Sequence, residues 1–362
     1  MEDLSIKIVT ENAKNLSNYD WNNIELLVKK FPSTSNSSHN SNEIRNANYY
    51  KSKLTLSPSG DSYITRVLNK DGLCLGFQSI TRKDFLYNGK KIESFEFGDV
   101  YLDKDLRGQG IFDKMIHDTF KNVKKIFSKS FIYATANKYS QPGLIRGGFK
   151  LVDYQLFLKI LPLKPYLIFN NIVIQRILKS LNPIYIFLIK KFFIKKSKNI
   201  KFSFKSVNNF NDYPNDFFKN HEIELNKSKD YLNWRYIINP HNYKIFLITR
   251  DSKYVGYFIL REAEYKETPS LFLADLNINR ENIKYIHLIF SDLILSNFDI
   301  DKFSFIASCV SKKSSYYNNL SFVLPVNYNK IPFIIYQDLV PDNLIDVENM
   351  TVQFMLGDGD NI

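Results

Sequence analysis

The run Val100-Tyr101-Leu102-Asp103-Lys104-Asp105-Leu106-Arg107-Gly108-Gln109-Gly110-Ile111-Phe112 changes its period halfway along. Up to Leu102 it reads as the end of a strand that begins at Ile92. From Ile111 the apolar residues Ile111, Met115, Ile116, Phe120, Val123 and Phe127 recur close to one helical face. The turn between them carries two glycines. Glycine lets the backbone turn tightly and approach a ligand, and the first N–H groups of a helix have no partner within it. Such a turn can therefore cradle an anion of the pyrophosphate kind. Arg107 adds a fixed positive charge. Taken alone, Arg-Gly-x-Gly equally suits an ordinary strand-to-helix turn, so its surroundings have to decide.

On the N-terminal side, Leu4 to Thr10 reads as a strand and Trp21 to Lys30 as an amphipathic helix ended before Pro32. Ser33 to Asn42 is a Ser/Asn-rich loop. Tyr63 to Leu68 and Leu73 to Ile80 form a hairpin over Asp71-Gly72, and Tyr87-Asn88-Gly89-Lys90 makes another tight turn. On the C-terminal side come a strand, Phe131 to Ala136, a short helix, Pro142 to Arg146, and a last strand, Leu151 to Ile160. Antiparallel strands giving way to strand, helix, strand predict an α/β fold: a mixed sheet with helices on both faces.

In that setting Arg107-Gly108-Gln109-Gly110-Ile111-Phe112 resembles the coenzyme-A-binding motif [RQ]-x-x-G-x-[GA] of the GNAT N-acyltransferase superfamily. Asn137-Lys138-Tyr139-Ser140-Gln141-Pro142-Gly143-Leu144-Ile145-Arg146-Gly147-Gly148-Phe149 is similar to that family's second motif, an Asn after the fifth strand and a Gly-Phe closing the next helix. The resemblance covers about residues 1 to 160 and implies acetyl-CoA or another acyl-CoA as co-substrate, with no metal. It implies that the backbone of Val100 and Leu102 pairs with the pantetheine arm. The N–H groups of Arg107, Gly108, Gln109, Gly110, Ile111 and Phe112 would hold the pyrophosphate, and Asn137, assisted by Ser140, would bind near the pantetheine or adenosine end. Phe112 departs from the small final residue of the motif.

An amine must lose a proton before it attacks a thioester, and a nearby carboxylate can take it. Glu96, six residues before Leu102, stands where several family members place this base; Asp99 is the reserve. The alternative for Glu96 is an outward-facing strand carboxylate paired with Lys90 or Lys91. The family's usual thiolate-protonating tyrosine is replaced by Gly143 or Leu144, which leaves Tyr139 as the nearest substitute.

The order strand, helix, hairpin, strand, helix, strand, helix, strand recurs from Lys201 onward. Phe202 to Ser206 opens it, followed by Pro214 to Leu225 as a helix. Tyr243 to Thr249 and Val255 to Glu262 make the hairpin over Asp251-Ser252-Lys253. Leu271 to Asn277, the helical Ile283 to Leu295, Phe303 to Val310, the polar Ser311 to Asn319 and Ile331 to Tyr336 complete it. This predicts an internal duplication. The second copy has no Arg-x-x-Gly, so a second coenzyme-A site is not expected there. Its Trp234, Arg235 and Tyr236 offer aromatic faces and donors suited to a sugar, or else simply pack in a core.

The 362 residues carry 49 basic and 37 acidic side chains, and the excess is local. Between Asp153 and Asp212 there is no acidic residue, while 11 are Lys or Arg. Taking those 11 from 49 leaves 38 basic against 37 acidic residues elsewhere, so the charge belongs to one segment rather than to a nucleic-acid-binding face. Within that segment, residues 161 to 200 alternate apolar runs with Pro162, Pro165, Pro183 and lysines. The longest uncharged stretch, Pro165 to Gln175, is shorter than the roughly 20 residues a membrane-crossing helix needs. Two readings stand: a pair of linker helices buried between the domains, with Ile172 to Leu178 and Ile184 to Ile189 covered, or an interfacial helix on anionic lipid through residues 161 to 205. Two cysteines, Cys74 and Cys309, cannot make a disulfide framework, and no Cys/His spacing suits a metal. The N-terminus is too acidic for a signal peptide, so the cytoplasm is the expected compartment, with membrane association as the variant.

These readings combine into two GNAT-like domains, each a mixed, mostly antiparallel twisted sheet flanked by helices. Residues 1–160 are expected to be catalytic, 161–200 a basic helical linker, and 201–362 a degenerate copy shaping the acceptor site. The resemblance implies acyl transfer to an amino sugar or sugar-nucleotide in bacterial surface polysaccharide synthesis. The alternatives are a membrane-peripheral acyl or aminoacyl transferase acting on a lipid-linked cell-wall precursor, and a non-catalytic scaffold.

Overall fold

The computed structural model describes residues 5–31, 45–126, 130–137, 139–196, 200–213, 223–265, 268–311, 314–320 and 324–336. The first half contains β1 (Lys7–Asn12), α1 (Asn18–Lys29), α2 (Ala47–Thr55), β2 (Tyr63–Leu68), β3 (Cys74–Arg82), β4 (Phe85–Tyr87), β5 (Lys90–Ile92) and β6 (Ser94–Leu102). Then come α3 (Ile111–Ile126), β7 (Phe131–Thr135), α4 (Gln141–Arg146) and β8 (Phe149–Pro162). After α5 (Ile172–Lys196) the second half has β9 (Ser203–Val207), β10 (Ile223–Leu225), α6 (Lys229–Asn233), β11 (Tyr243–Arg250), β12 (Lys253–Tyr265) and β13 (Thr268–Ile278). It ends with α7 (Ile286–Asn297), β14 (Phe305–Ser311), α8 (Ser315–Asn319) and β15 (Leu324–Tyr336).

Local chemistry accounts for most of these elements. Ser17 and Asp20 cap α1 reciprocally, and its Trp21, Ile24, Leu27 and Val28 are buried at helical spacing. Asn88 and Gly89 both take positive φ, 48° and 77°, as a two-residue hairpin turn between β4 and β5 requires. The Ser33 to Asn42 loop and most of the expected Pro214 to Leu225 helix lie outside the described residues. The end of that segment, Ile223–Leu225, is a strand rather than a helix and pairs with β4. α2 has no counterpart among the sequence-based expectations.

Twelve strands form one sheet in the order β1-β2-β3-β6-β7-β15-β8-β14-β13-β12-β11-β9. Each half contributes an antiparallel meander and one parallel pair, β6 with β7 and β13 with β14. The last strands are exchanged. β15 of the second half lies between β7 and β8, while β8 of the first half lies between β15 and β14. Tyr336 at the end of β15 accordingly stacks on Phe120 of α3, with ring centroids 3.8 Å apart. The duplication in element order is therefore also a duplication in sheet order.

The linker differs from the buried pair of helices considered above. It is one helix of 25 residues running through Pro183. Ile172, Val173, Ile174, Ile177, Ile184, Phe187 and Leu188 are all exposed, Phe187 at 62%. Among the described residues the covered side is the one holding Ile186, where the Tyr185 hydroxyl donates to the Pro162 carbonyl at 2.8 Å. The apolar runs are too long for the strip of core they meet.

Lys159 of β8 joins the halves: its ammonium donates to the carbonyls of Tyr317 and Leu320 and lies 3.8 Å from the Tyr317 ring centre. Burial pushes its pKa down to about 8. An unfolded lysine titrates near 10.4, so between those values the unfolded chain holds more protons and stability must rise with pH. Thermal melts from pH 8 to 10 should show this rise in the parent and a flatter profile in Lys159→Met; equal slopes would refute it.

Candidate functional site

β6 and β7 pair only from Ser94–Glu96 to Phe131–Tyr133, whereas β6 stays paired with β3 as far as Leu102. Past Glu96 the two parallel strands part. The cause is a bulge: the β3–β6 register shifts between Phe77 and Ser79, and Asp99 takes φ 50°. Val100 and Leu102, both half-buried, lie on the stretch of β6 that borders the resulting opening.

The glycine turn sits at the end of this stretch. Arg107, Gly108, Gln109 and Gly110 are exposed, and the glycines have φ 75° and 72°, values that other residues adopt only with strain. The Arg107 guanidinium donates to the Leu102 carbonyl at 3.1 Å and lies over the Phe31 ring; the Gln109 amide donates to the Asp105 carbonyl at 2.7 Å. These contacts brace the turn. α3 follows, and its first backbone bond runs from the Lys114 N–H to the Gly110 carbonyl. The N–H groups of Ile111 and Phe112 precede that bond and face the helix N-terminus. The Phe112 ring packs on α4, where a Cβ at Gly143 would fall 2.5 Å from it. That explains both the bulky residue at 112 and the missing side chain at 143.

On the adjoining turn, Asn137 Oδ1 accepts from the N–H groups of Tyr139 and Ser140 at 2.9 Å each. Ser140 Oγ accepts from the Asn137 N–H at 3.2 Å. Both side chains thus shape their own turn first. Tyr139 stands on it 74% exposed.

Glu96 is 3% exposed and ion-paired with the equally buried Lys83, not with Lys90 or Lys91. Lys91 instead reaches Asp84 at 2.5 Å. Asp99 accepts from Lys53 Nζ at 2.6 Å and from the Ser79 hydroxyl at 2.7 Å. Both carboxylates belong to β6, and both of their lysines line a small open cleft. One wall of the cleft is Tyr49, Ser52 and Lys53 of α2; the other is Trp234, Arg235 and residues 238–240 of the second half. The Trp234 indole donates to the Ser52 carbonyl at 3.3 Å and fastens the walls together.

Of the three residues expected at an acceptor site, the structure brings Trp234 and Arg235 to the cleft. Tyr236 points elsewhere, its hydroxyl donating to buried Asp275 at 2.9 Å beside Lys227 and Tyr257. Burial holds its phenol well above the usual value, so it remains a donor. Sequence reading missed Lys53, Tyr49 and Lys83. A usable signal was Asn46 followed by Tyr49, Tyr50, Lys53 and Leu54 at helical spacing, which begins α2; nothing local marks Lys83. Cys74 and Cys309 are buried thiols pushed up to about 11 and about 12, values that suit packing rather than nucleophilic attack.

The second half parts in the same place: β13 and β14 pair only from Ser270–Leu273 to Phe305–Ser308. Ile278, opposite Gly256, corresponds to Leu102, opposite Gly76. Here the gap holds buried Tyr316, whose hydroxyl accepts from the Ile278 N–H at 3.2 Å. No glycine turn follows; Arg280–Tyr285 form a tight 3₁₀ helix.

No family model matches the sequence, and no curated protein matches it significantly. Its fold, however, matches solved structures. A probable N-acyltransferase from Enterococcus faecalis aligns with TM-score 0.57 at 11% identity, over 92% of this chain and 73% of that one. A GCN5-related N-acetyltransferase from Anabaena variabilis aligns with TM-score 0.55 at 10% identity, over 91% and 72%. The N-myristoyltransferase of Saccharomyces cerevisiae, solved with bound myristoyl-CoA, aligns with TM-score 0.60 at 11% identity, over 92% and 80%. The chain has the fold of the GNAT superfamily.

Proposed function

We propose that this chain is an N-acyltransferase that moves the acyl group of an acyl-CoA, with acetyl-CoA as the first candidate, to the amino group of an amino sugar or sugar-nucleotide in bacterial surface polysaccharide synthesis. The observation that carries the proposal is the occurrence together of three features: parted strands β6 and β7, an exposed turn with two glycines of positive φ at the N-terminus of α3, and two β6 carboxylates whose lysine partners line a cleft. In this reading the backbone of Val100 and Leu102 lies along the pantetheine arm. The N–H groups from Arg107 to Phe112 take the pyrophosphate, and Asn137 and Ser140 border the same ligand. The acceptor enters the cleft against Trp234 and Arg235. Its nitrogen forms a bond to the thioester carbonyl carbon, the carbon–sulfur bond breaks, and the nitrogen's proton passes to Glu96, or to Asp99. Among the described residues, exposed Tyr139 is the nearest substitute for the family's tyrosine acid. A thiol near pKa 8.5 is a tolerable leaving group as a thiolate.

The fold likeness supports the reaction class, and the aromatic and guanidinium lining supports a sugar. A second reading, transfer to a lipid-linked cell-wall precursor, is favoured by one observation, the exposed apolar side of α5. Thiol release from acetyl-CoA across a panel of amino sugars, sugar-nucleotides and lipid-linked amines tests both. Release with none of them, together with no coenzyme-A binding, would leave a scaffold. With the active acceptor in hand, Trp234→Ala should raise its KM by about tenfold or more while coenzyme-A affinity stays the same. An unchanged KM would move the acceptor out of the cleft.

A further inference from the structure

We propose that α5 is an in-plane docking surface for an anionic lipid bilayer. On a helix of about 3.6 residues per turn, Val173, Ile177, Leu181, Ile184 and Leu188 fall on one stripe, and all five are exposed. Phe187 flanks the stripe, and Leu167, Ile168 and Phe169 extend the exposed apolar surface just ahead of the helix. The opposite side, with Leu178, Asn182, Tyr185, Ile186 and Ile189, turns toward the second half, where Ile186 is buried and Tyr185 and Ile189 pack against its core. Arg176 borders the stripe, and Lys179 and Lys190 continue round that side toward the packed face, where Lys190 shares its charge with Asp301 at 2.8 Å.

Charge complementarity selects the occupant. An apolar stripe edged by cations, in a segment with 11 basic and no acidic residues between Asp153 and Asp212, matches the hydrocarbon boundary and the negative headgroups of a bilayer. It does not match a second copy of itself, because two such faces would bring like charges together. The helix is long and apolar enough over Ile172–Lys191 to cross a membrane by length and composition. Crossing would put Arg176 and Lys179 in hydrocarbon and strip the Tyr185–Pro162 bond and buried Ile186 from the fold. Lying in the interface leaves all of these in place.

The test is co-sedimentation of the full chain with vesicles of mixed phosphatidylcholine and phosphatidylserine, and with vesicles of phosphatidylcholine alone. Binding is expected to the mixed vesicles and to fall steeply as salt shortens the screening length to about 8 Å near physiological strength. Arg176→Gln with Lys179→Gln should lower partitioning about 30-fold, taking roughly 1 kcal/mol per basic residue. Phe187→Glu should lower it about tenfold or more with an unchanged thermal melt, since Phe187 touches solvent rather than core. Any one of four results would overturn the proposal. These are binding to neither vesicle, a melt lowered by Phe187→Glu, a lipid-free dimer abolished by that substitution, or bound protein that only detergent, and not alkaline carbonate, releases.

Discussion

Titration calorimetry with coenzyme A should find one site per chain, and Gly110→Trp should weaken it at least about 100-fold. The glycine sits at φ 72°, where any other residue is strained, by about 1–3 kcal/mol. No atom lies within 4 Å of where its Cβ would stand, so an indole would project into the open side of the turn. In the proposed reading, that is the side from which the pyrophosphate comes. A 100-fold loss is roughly 2.7 kcal/mol, and the side chain in the ligand's path must supply it, because strain present with and without ligand cancels from the affinity. The limit of one site follows from the second half, where Tyr316 occupies the gap between β13 and β14 and satisfies the Ile278 N–H. Two sites per chain, or an affinity indifferent to Gly110→Trp, would remove the basis for placing coenzyme A at this turn.

Glu96→Gln should lower turnover about 10²–10⁴-fold, the usual range for loss of a general base, and leave coenzyme-A affinity intact. The amide keeps the shape of the carboxylate but cannot take the acceptor's proton. Removing one charge from a buried ion pair is also strongly destabilising in general. The affinity measurement therefore doubles as a check that the variant is folded. A further readout separates catalysis from support: the pH–rate profile of Glu96→Gln should lose its acidic limb, whereas a purely structural role would scale the whole profile down. If turnover stays near that of the parent, Asp99 with its Lys53 partner becomes the base to test, and if that too is silent the proton leaves through water.

Some of this molecule is legible one residue at a time. The glycine turn after β6, the Asn88-Gly89 and Asp251-Ser252 hairpins and the amphipathic α3 all depend on neighbours a few positions away, because φ preference, capping and helical period are local properties. The duplication is legible too. Asp71 and Asp251 each precede by five positions the glycine, 76 or 256, that faces the end of the parting strand. α2 was missed because its buried side includes Lys53, which breaks the apolar pattern, yet one wall of the cleft stands on it.

The succession of elements at the site is determined by the sequence alone, since a strand, a positive-φ glycine turn and an amphipathic helix follow from short-range backbone energetics. Only the tertiary structure decides that β8 and β15 exchange places, that Lys83 rather than Lys90 or Lys91 meets Glu96, that Trp234 and Arg235 face α2 while Tyr236 faces Asp275, and that α5 leaves its apolar stripe uncovered. Each of these is a choice of partner from a distant part of the chain. Hydrophobic burial is non-directional, so an apolar stripe reads the same whether it meets a protein core or a lipid surface.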